Sequence, residues 1–449
     1  MTSSQTASQT STSSAHPEKG TPGLQGAFLK LSSDLQRCVK EAGYHTPTPV
    51  QEQSIGPIAD GKDLMGTAQT GTGKTAAFVL PILQRLAASP QKVPKGSPRV
   101  LILAPTRELA AQIGESIETY GRFLSLRHSV IFGGVNQFHQ VKALNRGLDI
   151  LVATPGRLLD LMQQGYIRLN KVEVFVLDEM DRMLDMGFIR DIKKVLKEVP
   201  EKRQTLFFSA TMSHQIEQLA SGMVKNPVRV SITPDEPTVD RIVQKVMFLK
   251  SAHKAPMLVK LVSGHDVDKV IVFTQMKHAA NKVVDSLTEA GIRAAAIHGN
   301  KSQAARIKAL DGFKRGRFQV LVATDVAARG LDVDDISHVV NYDMPVEAET
   351  YVHRIGRTAR AGAEGDAVSF VSPEDRSYLT QVEKLLGQSI PVDLEQEYHS
   401  DEAQFSTLKP KVPGRGRSGG GRRNNNRSRN KPESRRGRQS TGPGRGRRR

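Results

Sequence analysis

AQTGTGKT, residues 68–75, joins a glycine-rich turn to a lysine and a threonine. Gly71 and Gly73 leave the backbone free to turn its N–H groups toward an anion. Lys74 can reach the β- and γ-phosphates of a nucleoside triphosphate, and the Thr75 hydroxyl can ligate Mg²⁺. Ala68, Gln69, Thr70 and Thr72 complete the cradle; the strict pattern has Gly at the first position, where Ala68 stands. The apolar run Ala76 to Leu83 predicts a helix whose positive N-terminal end faces the same anion.

Outward from this loop, short apolar runs recur between helix-like stretches: Val100 to Ala104, Ile150 to Ala153, Val174 to Leu177, Thr205 to Ser209 and Val228 to Ile232. Continuous Val/Ile/Leu runs suit strands buried on both faces of a parallel sheet. The pattern pauses at Thr233 to Asp240, with two prolines and three acids, and resumes at Val270 to Phe273, Ala294 to Ile297, Val320 to Ala323, Val339 to Tyr342 and Ala367 to Val371. The predicted fold class is therefore α/β, two tandem domains with parallel sheets: residues 24–232 and 241–396, joined by a linker at 233–240.

Composition frames this core. Residues 1–23 are Ser-, Thr- and Gln-rich with little apolar content and are predicted to be a disordered tail. Residues 397–449 are predicted to be a basic, Gly/Arg-rich disordered tail. From Lys409 to Arg449 there are 16 Lys and Arg against one acid, Glu433, so this segment carries +15 of the net +18. A dense arginine block without aromatic residues predicts an interaction arm for a polyanion. One cysteine, Cys38, excludes an internal disulfide framework. No apolar stretch approaches a membrane span and no secretory signal order is seen, so the expectation is a cytoplasmic protein without membrane contact. No heptad or apolar patch points to a dimer, and a monomer is expected.

VFVLDEMD, residues 174–181, delivers three carboxylates at a strand end, where α/β sheets place ligands. Asp178 could hold Mg²⁺ through water and Glu179 could polarise a water that attacks a γ-phosphate. With these residues the chain resembles the DEAD-box RNA helicases, in a DEMD variant, from about Phe28 to Val392. The matching segments are GYHTPTPVQ (43–51), AQTGTGKT, APTRELA (104–110), Gly133-Gly134, TPGR (154–157), DEMD and SAT (209–211). In the second domain they are VIVFTQ (270–275), IHGNKSQAAR (297–306), ATDVAARGLD (323–332) and HRIGRTARAG (353–362).

The resemblance implies an RNA-dependent ATPase built from two RecA-like domains, with ATP and Mg²⁺ as cofactors. It assigns adenine recognition to Gln51, the ribose to Asp332, and arginine fingers to Arg357 and Arg360. Ser209 and Thr211 would bond Asp181 or His353 and couple the nucleotide to RNA. RNA contacts would come from Arg107, Gly134, Thr154 and Arg157, and from Thr274, Gly299, Gln303, Arg306 and Thr324, a sugar-phosphate track with little base information. Ribonucleoprotein or ribosome-assembly components are the candidate protein partners. Three positions depart from the family: Met180 replaces its eponymous alanine and adds volume beside the acids. Ala359 replaces a common glycine between the fingers. Gly26 stands where an adenine-stacking aromatic is usual, leaving Phe28 as that platform or as a core aromatic. The implied activity is ATP-dependent local unwinding or remodelling of RNA; an RNA clamp or annealing chaperone with slow ATP turnover is the rival, which the intact acids and fingers disfavour.

Overall fold

Runs of Val, Ile and Leu that meet no water on either side form two sheets in the computed structural model, which describes residues 23–408 apart from 70, 233–241, 265–266, 329–332, 334–335 and 360–364. The first lobe holds β1 (Leu64–Thr67), β2 (Val100–Leu103), β3 (His128–Ile131), β4 (Ile150–Ala153), β5 (Val174–Leu177), β6 (Gln204–Ser209) and β7 (Val228–Ser231). They lie in the order β3-β4-β2-β5-β6-β1-β7. The second holds β8 (Ile242–Phe248), β9 (Val270–Phe273), β10 (Ala294–Ile297), β11 (Val320–Ala323), β12 (His338–Asn341) and β13 (Gly365–Val371), ordered β10-β11-β9-β12-β13-β8. Every pairing is parallel, as the crossover helices between successive strands require.

Strand periodicity explains the layering. In β2, Val100 and Ile102 enter one core cluster while Leu101 and Leu103 enter another on the opposite face. The central strands are buried throughout, which is why continuous apolar runs announced them. The expected tandem α/β architecture is what the chain adopts.

The same rule explains three strands that were not anticipated. β1 is only LMGT, with a glycine whose added methyl group would strike the Phe208 ring. β3 and β8 are edge strands whose side chains are partly exposed, and in β8 the apolar run is broken by Gln244 and Lys245. The β8 edge is covered in turn by residues beyond the second sheet. Val246 N–H donates to Pro391 O at 2.8 Å, Asp393 N–H to Val246 O at 2.9 Å and Ser400 N–H to Phe248 O at 3.0 Å. Ala403 is fully buried in the second lobe's core. The chain from Pro391 to Ala403 thus packs against the second lobe, with Pro391, Asp393 and Ser400 bonded to the open edge of the sheet, so the expected tail boundary at 397 falls inside packed structure. The residues anticipated as linker (233–240), and those of both tails at 1–22 and 409–449, lie outside the described set.

Candidate nucleotide and nucleic-acid site

β1 ends at Thr67 and the chain turns through 68–73 into the helix Lys74–Ala88. Gly71 and Gly73 have φ of 88° and 90°, the left-handed region that glycine enters without strain. A side chain on Gly73 would also collide with the Gln51 amide. Ala68, by contrast, has no positive φ, is buried, and donates its N–H to Ser209 O at 3.1 Å, so the position needs no glycine. Gln51 fixes the loop from outside: its Oε1 accepts from Thr48 N–H at 2.9 Å while its Nε2 donates to Gly73 O at 3.2 Å. Lys74 is buried and its Nζ donates to Ala68 O at 2.7 Å.

Asp178 and Glu179 follow β5 and face this loop across a cleft of about 340 Å³. The cleft is lined by Tyr44, Thr48, Gln51, Gly71, Gly73, Lys74 and Thr75, and by Gln112, Ser116 and Tyr120 of the helix Arg107–Gly121. Its donor set fits a triphosphate: two left-handed glycines, a buried ammonium and a helix N-terminus around one concavity. Tyr44 and Tyr120 supply aromatic lining that the motif reading passed over. Tyr44 sits one residue into the quoted GYHTPTPVQ stretch, so a signal for it was present. Phe28 is fully buried in the first core cluster and does not line the cleft; of its two readings, the core aromatic is correct.

Burial pushes the Asp178 carboxyl up to about 7; Lys74 opposes the shift, while Glu179 and Asp181 add to it. Such a group is short of positive charge, and a divalent cation beside it would supply that charge. Among the described residues no three His, Cys, Asp or Glu side chains converge as a metal cage. Thr75, which lines the cleft beside Asp178, together with water and phosphate oxygens is the kind of oxygen ligand set that Mg²⁺ commonly takes.

Glu179 has φ 53° and ψ 54°, and the left-handed turn separates it from its neighbour: Met180 drops into the core, fully buried, and adds no volume to the cleft. Arg182 Nη1 pairs with Glu179 Oε2 at 2.6 Å in a buried ion pair that sequence patterning gave no reason to single out. Asp181 Oδ2 accepts from Ala210 N–H at 3.1 Å and Thr211 N–H at 3.2 Å, and Asp181 N–H donates to Ser209 Oγ at 3.2 Å. The expected link between 209–211 and Asp181 is therefore present, with Thr211 engaged through its backbone.

The second lobe brings the helix Ala348–Ile355 and the turn after it toward these acids. His353, Arg354 and Arg357 line a small cavity together with Arg182, Asp325 and Thr350. Arg357 is buried and its Nε donates to His353 O at 3.3 Å. Thr70, Asp332 and Arg360 lie outside the described residues.

A cation-rich region lies at the start of the helix Arg107–Gly121. The Arg107 guanidinium packs over Gly134, where φ is 75° and a side chain would strike it. Burial lowers the Arg107 pKa, and the charges of Arg306 and Arg157 lower it further against Glu108. Across from it, burial depresses His298, and Lys301, Lys277 and Arg306 add to that. Gly299 lies against the Lys277 side chain. Arg157 Nη2 donates to Val135 O at 3.1 Å, which ties it to the loop after Gly134. Thr154, Thr274 and Thr324 are buried at the C-terminal ends of β4, β9 and β11. Gln303 and Arg306 are both held by Glu108: Gln303 Nε2 donates to Glu108 Oε1 at 3.1 Å and Arg306 Nη2 meets Glu108 Oε2 at 3.0 Å.

Two parallel sheets, one presenting a phosphate loop with acids and the other an arginine-bearing helix, define a two-lobed nucleoside triphosphatase of tandem RecA-like architecture. Residues 48–219 match the DEAD/DEAH box helicase family and residues 253–362 the helicase conserved C-terminal domain. The chain is 42% identical over 367 residues to the ATP-dependent RNA helicase RhlB of Pseudomonas syringae pv. tomato, covering 81% of this chain and 92% of that one. It is 42% identical to the ATP-dependent RNA helicase CshA of Limosilactobacillus reuteri over 80% of this chain and 71% of the relative. Among solved structures, S. cerevisiae Dbp5 bound to RNA and ADP BeF3 superposes with a TM-score of 0.70 at 31% identity, over 81% of this chain and 94% of that one. The chain belongs to the DEAD-box family of ATP-dependent RNA helicases.

Proposed function

We propose that the chain couples ATP binding and hydrolysis to local separation or remodelling of RNA duplexes, with residues 24–232 and 241–396 as its two domains and 233–240 as their linker. One observation carries the coupling: the helix Arg107–Gly121 borders both sites. Its first residue joins the cation-rich region and its second grips Arg306 of the other lobe, while Gln112, Ser116 and Tyr120 line the nucleotide cleft. Because one rigid element meets both ligands, each can bias the same closure of the lobes.

In this reading Gln51 recognises the adenine edge and the N–H groups of residues 68–73 surround the phosphates. Lys74 neutralises the β- and γ-phosphates, and Asp332 meets the ribose. Bound through Thr75 and, by way of water, Asp178, Mg²⁺ supplies charge neutralisation of the triphosphate. Glu179 takes the proton of the attacking water. Arg357 and Arg360 stabilise charge on the transferring phosphoryl when the lobes close. Asp181, Ser209, Thr211 and His353 transmit closure to the RNA side. Arg107, Gly134, Thr154 and Arg157 of one lobe and Thr274, Gly299, Gln303, Arg306 and Thr324 of the other follow the sugar-phosphate backbone. Like charges that repel one another there are relieved by a polyanion. The basic segment 409–449 adds non-specific RNA capture. Among the described residues no helix is long and apolar enough to cross a membrane, and a monomer working in the cytoplasm, with ribonucleoproteins among its substrates, is the setting we propose.

Strand separation of a short RNA duplex with and without ATP tests the reading, with Glu179→Gln as the second arm. Separation by the native chain should need ATP. Glu179→Gln should bind ATP and retain RNA in a long-lived complex while turnover falls at least about a hundredfold. Strand annealing with ATP-independent duplex release, or near-normal turnover by Glu179→Gln, would refute it.

A further inference from the structure

We infer that Arg182 is a positioning residue for hydrolysis, clamping the Glu179 carboxylate in the orientation from which it accepts the water's proton; this rests on the reading of Glu179 as the base. Arg182 stands one helical turn beyond Glu179, in the helix Met180–Asp185, and the two side chains meet at 2.6 Å with exposures of only 5% and 3%. The backbone at Glu179 is already fixed. Its N–H donates to Asp178 Oδ1 at 2.9 Å and its carbonyl accepts from Met183 N–H at 3.1 Å. The carboxylate is a different matter, since its last torsion is broad and two other acids, Asp178 and Asp181, lie beside it. A guanidinium on Oε2 sets one direction and supplies the counter-charge. One guanidinium N–H takes only one of the roughly four acceptor sites on a carboxylate's two oxygens, so this bond by itself does not use up the base.

Stability alone is a poor explanation for this pair. Two apolar side chains of the same volume would serve a buried helix as well or better than two desolvated charges. Arg182 is moreover anchored through its own N–H to Asp181 Oδ1 at 3.0 Å, the carboxylate that also receives Ala210 and Thr211. Its far side forms the first-lobe wall of the cavity that Asp325, Thr350, His353 and Arg357 complete. The group that orients the base is thus also the group facing the second lobe, which brings the finger Arg357.

The experiment is a double-mutant cycle on RNA-stimulated hydrolysis, with kcat and KM for ATP measured separately. Arg182→Gln should lower kcat on the order of 30-fold while KM for ATP stays within about threefold. Arg182→Lys should recover at least about a third of that loss, and it keeps the cycle measurable if the glutamine variant does not fold. Placed on Glu179→Gln, whose residual rate no longer uses the base, either substitution should cost less than about threefold. Equal losses in both backgrounds, or a loss confined to KM, would overturn the proposal and leave Arg182 a packing residue. Near-normal turnover by Glu179→Gln alone is a separate result, and it removes the base and its clamp together.

Discussion

Replacing Glu108 by alanine removes the carboxylate on which the second lobe's Gln303 and Arg306 converge. Glu108 and Arg306 meet at 3.0 Å with side-chain exposures of 6% and 10%, well beyond the solvent screening that makes surface pairs nearly worthless. Charge-assisted hydrogen bonds of this kind contribute about 1.5–3 kcal/mol each. Arg306 Nε and Gln303 Oε1 have no partner among the described residues, so the network recovers only part of its desolvation. A net of about 2 kcal/mol for the closed arrangement follows, or roughly a 30-fold change in the closure equilibrium. The assay is RNA-stimulated ATPase as a function of RNA concentration, with the thermal midpoint as control for the first turn of the helix, where Glu108 also contributes. The sign discriminates. An acid beside a phosphate track repels RNA, so if Glu108 acted only through the field, its loss would tighten RNA binding. Closure predicts the reverse: half-stimulation shifted about ten- to thirtyfold to higher RNA, with Glu108→Gln between alanine and native. Tighter or unchanged RNA dependence at an unchanged midpoint would refute the cross-lobe reading.

Lys74→Ala should abolish ATP turnover, because no neighbouring cation reaches the same point in the loop; residual turnover above about 1% of native would argue against the assignment. Arg357→Ala should depress RNA-stimulated hydrolysis about a hundredfold or more with little change in nucleotide affinity, and a nucleotide titration that accounts for the whole loss would remove the finger role. Ala359→Gly should leave the thermal midpoint unchanged or raise it, since φ at this buried alanine is 54° and glycine relieves roughly 1 kcal/mol of left-handed strain against a comparable entropic cost. A drop of several degrees would show that the strain estimate is wrong. Deleting residues 409–449 should leave saturated ATPase intact but raise the RNA needed at low salt, the difference vanishing as salt increases. Superimposable curves at low salt would assign the arginines another task.

Much of this was readable in advance because the residues concerned obey local rules. A strand buried on both faces has to be apolar along its whole length, and a phosphate loop has to bend through left-handed glycines, so β2, β4, β5, β9 and β11 and the loop at 68–73 announced themselves. Edge strands such as β3 and β8 lack that signature, since half of each contacts solvent or a covering strap. Pairings across long sequence separations left no trace at all. Nothing in RELA says that Glu108 will hold a residue nearly two hundred positions away, and nothing in DEMDR says that the arginine turns back onto the glutamate rather than outward.

Ala68, which departs from the strict phosphate-loop pattern, and Met180 and Ala359, which depart from the family pattern, bear differently on the chemistry, and backbone conformation decides which matter. Ala68 sits at an ordinary φ and continues the β1–β6 hydrogen bonding, so the methyl group occupies core rather than phosphate space. Met180 follows a left-handed residue, and that reversal is what sends Glu179 to the cleft and the methionine to the core among Leu177 and Met183. Both substitutions leave the surface offered to a nucleotide unchanged. Ala359 is the exception. It takes a φ that glycine would take freely, in the turn between Arg357 and Arg360, and Thr358 beside it is pinned by a hydrogen bond from its Oγ1 to Ile336 O. A left-handed alanine has a narrower range of backbone angles than glycine, so Arg357, the proposed finger two residues before it, is followed by a stiffer backbone. If Arg357 acts as the proposed finger, stiffness there favours one geometry over many, which is the condition under which charge stabilisation needs no reorganisation at the moment of transfer.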